Sequence, residues 1–215
     1  MATFAPLLAQ LAVALSMLLA PGSLDLYNAA GLRPQMPDST ACTAASVTMA
    51  LNMEALAGVP TPWAVSTDLK TMETVLTYER QHMTSSREVA GSDPVGARNA
   101  LNHFGGGGYA VVASATFEDA VAGVVWSIRA RRPVVIIGLD GTHAMLVTGY
   151  GPGGVRLTDP MGGTHRPDAW VTLDELRTRY WQPYISTGSF LTDPATGAIG
   201  SKAWYGKWVA VAYRA

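Results

Sequence analysis

The hydrophobic period of this chain changes at Pro133, and that change limits the fold more than any other feature. Upstream, apolar residues recur at helical spacing between recognisable caps. Downstream they come as short β-branched runs parted by glycine-rich turns. Helices gathered in the first half and strands in the second read as α+β, not as alternating α/β. With 215 residues the chain holds one domain's worth of core.

The punctuation places the elements. Asp38-Ser39-Thr40 offers N-caps for an apolar helix through Cys42, Val47, Leu51 and Ala55, which Gly58 and Pro60 end. Its apolar residues fall on more than one face, so this helix should be buried on most sides. Asp68–His82 reads as a second helix capped by Thr67. Ser92-Asp93-Pro94 opens a third that ends near His103. After Gly105–Gly108 comes a strand, Tyr109–Ala113, and then a helix opened by the capping-box pattern Thr116-Phe117-Glu118-Asp119. Val134–Leu139, Ala144–Tyr150 and Val155–Thr158 read as a meander of buried strands. A capping box at Thr172–Glu175 starts a helix to about Tyr180, and Trp208–Tyr213 closes the chain as a strand.

Residues 1–24 carry no charged side chain. This apolar segment lacks the basic flank of a secretory leader and is short for a membrane span. It reads as a leader or a packed helix ahead of a domain at 25–215, and secreted and cytoplasmic locations both stay open. Fifteen basic and sixteen acidic residues give a net charge of −1, so no nucleic-acid partner is expected. Membrane contact is expected nowhere outside the N-terminal segment. A single cysteine excludes a disulfide framework and any multi-thiolate zinc site. His82, His103 and His165 show no ligand spacing, so neither metal nor cofactor is expected. Gly105–Gly108 lacks the Gly-Lys-Ser/Thr that a phosphate loop needs and reads as a connection. Trp170, Trp181, Trp204 and Trp208 should cover the sheet or wall an apolar cleft.

Chemistry concentrates on Cys42, in the first turn of the buried helix. Unpaired N–H groups and roughly half a positive charge stabilise a thiolate there. Taken alone, it could equally be a small buried hydrophobe. His143 begins a strand after Gly141-Thr142, where its ring could take the thiol proton. Asp159 lies sixteen residues on, at the end of the next strand, and a hairpin would return it beside His143. Asp140 competes, but in an extended chain it points away from the His143 face. For an oxyanion, the Cys42 N–H is one candidate donor, and Gln35, in a proline-rich loop, reads equally as a second donor or as a solvated loop residue.

The segments Gln35…Cys42-Thr-Ala-Ala-Ser-Val-Thr-Met-Ala-Leu-Asn, Gly141-Thr-His143-Ala-Met-Leu-Val-Thr-Gly-Tyr and Leu157-Thr-Asp159-Pro-Met-Gly-Gly resemble the C39-like branch of papain-fold cysteine peptidases, whose members often occur as stand-alone bacterial proteins. The terminal Trp204-Tyr-Gly-Lys-Trp208 and its strand are similar too, so the likeness spans roughly residues 30–213. It implies a papain-like fold, with a helical N-terminal half whose buried central helix packs on an antiparallel sheet from the C-terminal half. It implies Cys42 as nucleophile, His143 as general base and acid, Asp159 as orienter and Gln35 as oxyanion donor, acting on a peptide or protein. Where many members carry Gly-Pro after the nucleophile, this chain has Thr43-Ala44. Three activities fit: a thiol hydrolase of peptide or amide bonds, an acyl transferase using the same triad, and an inactive papain-fold binding module.

Overall fold

A computed structural model describes residues 22–32, 40–84, 91–161, 168–185 and 204–214. In chain order the elements are β1 (Leu24–Asp25), α1 (Cys42–Leu56), α2 (Leu69–His82), α3 (Pro94–Phe104), β2 (Tyr109–Ser114), α4 (Phe117–Arg129), β3 (Val134–Gly138), β4 (His143–Gly151), β5 (Gly154–Thr158), β6 (Asp168–Val171), α5 (Leu173–Glu175) and β7 (Trp208–Tyr213). Single 3-10 turns lie at Ala29–Gly31 and Leu139–Gly141, and a π turn, Leu176–Tyr180, follows α5.

The strands make one antiparallel sheet in the order β2-β7-β3-β4-β5-β6, with β1 beside β4. The last strand enters the middle of the sheet and joins β2, from the helical half, to β3. Val135, Ile137, Ala144 and Leu146 pack toward α1 on one face. Val134, Ile136, Met145 and Val147 pack toward α4 on the other. With both faces covered, these strands have no reason to alternate apolar and polar residues, which explains their continuous apolar runs. The α+β reading and the buried central helix both hold.

Helix α1 sits at the centre. Twelve of its fifteen residues are buried, so every polar side chain on it needs a partner. Asn52 donates to the carbonyls of Gly31 and Ser66, and accepts from Trp63 Nε1 at 2.8 Å and the Ser66 N–H at 3.0 Å. The Ser46 hydroxyl donates to the Ala144 carbonyl, 3.3 Å away, and ties α1 to β4. Glu54 pairs with Arg132 at 3.0 Å and accepts from the Tyr109 hydroxyl. The glycine tetrad closes over this cluster. A Cβ on Gly106 would stand 2.5 Å from Arg132 Nη2, so only glycine lets the loop approach so closely.

Several local expectations need correcting. Helix α1 is capped by Ala41 without any side-chain bond, not by Thr40, and α2 by Asp68, not Thr67. Asp38 and Ser39 lie outside the described residues. The helix after Thr172 keeps its capping box and runs to Tyr180 as expected, but widens to π over Leu176–Tyr180. Strand β6 escaped the pattern: Asp168, Ala169 and Trp170 are exposed at the sheet edge and only Val171 is buried. Among the described residues no helix is long and apolar enough to cross a membrane.

Candidate active site

Cys42 is the first residue of α1 and only partly buried. The first intrahelical bond runs from the Ala45 N–H to the Ala41 carbonyl at 2.9 Å. The N–H groups of Cys42, Thr43 and Ala44 therefore have no acceptor inside the helix, and their partial positive charge gathers at the sulfur. A side-chain cap would have drawn off part of that field; none is present.

His143 opens β4, opposite Gly138 of β3. The turn before it is strained. Leu139, Asp140 and Gly141 all have positive φ, at 47°, 60° and 94°. A second segment clamps this turn. The Ile185 N–H donates to the Asp140 carbonyl at 3.2 Å, and a Cβ on Gly141 would stand 2.4 Å from the Tyr184 ring. Tyr184 is held in turn by the Lys207 carbonyl and by edge-on packing with Trp204. Backbone strain of this kind persists only where the surroundings over-determine it.

Asp159 reaches His143 through a bulge. From the hairpin turn, Gly151 pairs with Gly154, Tyr150 with Val155 and Gly149 with Arg156. Carried straight on, that register would set Asp159 opposite Leu146, on the face that α1 covers. The bulge between Val147 and Gly149 shifts the pairing to Val147 with Leu157 and Leu146 with Thr158. Asp159 then falls in the row of Met145, which His143 shares by the two-residue period. Strand β1 pairs at this irregularity, with the Leu26 N–H on the Thr148 carbonyl at 2.8 Å. The close approach explains Gly149, where a Cβ would meet the Leu24 carbonyl at 2.8 Å.

The outcome is a short bond between His143 Nε2 and Asp159 Oδ1, 2.8 Å, with both side chains nearly sealed. The same Oδ1 accepts the Met161 N–H at 2.8 Å, which fixes the carboxylate. With Nε2 committed to Asp159, the ring's other nitrogen is left for Cys42. Burial by itself would push the imidazolium down, but the bonds to Asp159 and Cys42 and their charges outweigh it and raise His143 to about 9. For Cys42, burial opposes ionisation, yet the His143 bond and charge, the Ala144 N–H and the Thr43 hydroxyl outweigh it and lower the thiol. Both shifts favour one arrangement, thiolate beside imidazolium.

The structure therefore brings Cys42, His143 and Asp159 together. Asp140 stays on the exposed strained turn and is not extended, so its displacement comes from the left-handed backbone and not from strand alternation. Gln35 and His165 lie outside the described residues. His82 and His103 stack on opposite faces of Tyr78, with ring centroids 3.9 and 4.3 Å away. Sequence reading overlooked Ser46, whose bond to Ala144 steadies the strand that delivers both His143 and an N–H to the sulfur. Its spacing of four from Cys42 on a helix was the available signal.

A family model described as Peptidase_C39 like family matches residues 27–188. That span contains Cys42, His143 and Asp159. No curated protein matches the chain.

Proposed function

The chain belongs to the Peptidase_C39-like family, of cysteine-peptidase type, and from that premise we propose that it hydrolyses peptide bonds in a peptide or protein substrate through Cys42, His143 and Asp159. The observation that carries this reading is the 2.8 Å bond from His143 to a buried Asp159, with the His143 ring also in contact with a sulfur at a helix start. Residues 25–215 would form the peptidase domain, with 1–24 as an appended apolar segment.

The Cys42 thiolate attacks the scissile carbonyl carbon. A C–S bond forms and the carbonyl π pair moves onto oxygen, where the Cys42 N–H receives it and, in this proposal, the Gln35 amide. The tetrahedral species collapses, the C–N bond breaks, and the imidazolium of His143 gives its proton to the leaving amine. Neutral His143 then takes a proton from water as the water oxygen attacks the thioester. Collapse expels the Cys42 sulfur as thiolate and restores the ion pair. Asp159 holds the ring through Nε2 and supports its positive charge throughout.

The test uses the full chain and a synthetic peptide library read by mass spectrometry. Cleavage by wild type that disappears in Cys42→Ala and His143→Ala is the expected result. Products capped by an added amine instead of water would make the enzyme an acyl transferase. Peptide capture with no bond broken would make it a binding module.

A further inference from the structure

The side chain that follows Cys42 along α1 faces the sulfur. Thr43 Oγ1 lies 3.9 Å from Cys42 Sγ, and Thr43 is only 4 % exposed. A threonine inside a helix usually returns its hydroxyl to the carbonyl four residues back, as Thr48 does to Ala44 at 2.7 Å. Thr43 is the second residue of α1, so the carbonyl four back precedes the helix. Its hydroxyl is released from that habit by position alone.

We propose that the Thr43 hydroxyl is a hydrogen-bond donor to the Cys42 sulfur and stabilises it as the nucleophilic thiolate. The direction follows from proton counting. A thiolate has no proton to give, and the hydroxyl has one, so the hydroxyl donates. The sulfur then accepts from three sides: the His143 ring, the Ala144 N–H and Thr43. The same donor meets the sulfur again when the thioester breaks and Cys42 leaves as thiolate, so it assists deacylation as well as attack. The contact is long, and sulfur is a diffuse acceptor, so its effect is smaller than that of His143.

One other ionisable group acts on this locus. Glu79 of α2 is fully buried, and burial pushes its carboxyl well above the usual carboxylate range. The Cys42 thiolate charge pushes it the same way, and because Glu79 is present in every Thr43 variant this coupling cancels from the differences between them.

This inference rests on the thiolate–imidazolium reading of the site. Cys42 is the chain's one cysteine, so iodoacetamide reports on it alone. The experiment follows alkylation rate against pH in the full chain, with thermal unfolding alongside, for wild type, Thr43→Ser, Thr43→Val and Thr43→Ala. Thr43→Val keeps the branched shape and loses only the hydroxyl. The expected result is an upward shift of the acid-side midpoint by roughly half to one pH unit in Val and Ala, with Ser unchanged. A shape role would move the melting temperature and leave all four midpoints together, which overturns the proposal. Should wild type itself react only above about pH 8, with His143→Ala no slower, the ion-pair reading fails and the inference falls with it. Fast wild-type reaction with an unmoved Val midpoint sinks the inference alone.

Discussion

Helix α1 begins at Cys42, partly open to solvent, and ends two residues beyond Glu54, which is sealed from it. Both ends carry ionisable groups against buried partners, and the helix field acts on them with opposite sign. At the N-terminus roughly half a positive charge favours the thiolate. Near the C-terminus the field opposes a carboxylate, and burial raises Glu54 further. The Tyr109 hydroxyl, Arg132 and the Gly106 N–H only partly offset that. Glu54 therefore needs a permanent cation at 3.0 Å, walled in by the glycine loop. Cys42 needs only a titratable one. A sealed pair fixes architecture, whereas a half-open pair whose proton can move is suited to chemistry.

The sharpest way to break this contrast is to truncate each end. Cys42→Ala should abolish peptide turnover and leave the urea-unfolding midpoint near that of wild type. Glu54→Ala strands a buried guanidinium and should lose about 3–5 kcal/mol of stability. Urea unfolding of both proteins decides the matter. Equal losses at the two ends would erase the distinction drawn between them.

Asp159→Asn probes the half-open end more finely. It keeps an acceptor for Nε2 and removes the charge that supports the imidazolium. Turnover should fall by at least about tenfold, and the alkaline limb of the pH–rate profile should move below 9. An unchanged limb would show that Asp159 does not govern the ring.

The wild-type limbs follow from the signs of the two shifts. His143 rises from 6.5 to about 9, so its contribution to stability is complete below 6.5 and is lost as pH rises through about 9. Cys42 is lowered, so its contribution is complete above its ordinary value of 9.0 and is lost as pH falls through its lowered one. Between the lowered thiol value and about 9 the two slopes oppose, so the fall in wild-type stability there should be shallower than His143 alone would give. Cys42→Ala removes the opposing slope together with the Cys42 share of the His143 rise, so the His143 ring should titrate below the wild-type value of about 9, measurable by NMR titration. Turnover needs the imidazolium as acid and should fall above about 9. Alkylation needs only the thiolate and should not.

How much of this was legible in the sequence depends on the kind of signal. The nearness of His143 and Asp159 could be read because hairpin spacing is local arithmetic. That they share a face could not, since it depends on one extra residue near Thr148, marked only by the neighbouring Gly149. The start of α1 was placed within two residues, yet its cap was expected from polar side chains when Ala41 takes the position. Strand β6 left no period, because an edge strand with a single buried residue has none to leave. The clamp of Tyr184 on Gly141 joins positions 43 residues apart, and no local pattern announces a contact of that range.

The smallest effect tests whether α1 and β4 are coupled at the half-open end. Ser46 is buried, and its hydroxyl spans 3.3 Å to the Ala144 carbonyl, while the Ala144 N–H serves the sulfur. Ser46→Ala removes the hydroxyl donor to that carbonyl, so the stability loss should be about 1 kcal/mol. The functional loss should be larger in proportion, because the freed strand carries both His143 and the N–H that steadies the thiolate. Alkylation near pH 6 should slow by a few-fold while the alkaline rate stays the same, since full ionisation makes the donor dispensable. Slowing by one factor at every pH would mean that access to the sulfur had changed, and would place Ser46 with Glu54 among the residues that only hold the helix in place.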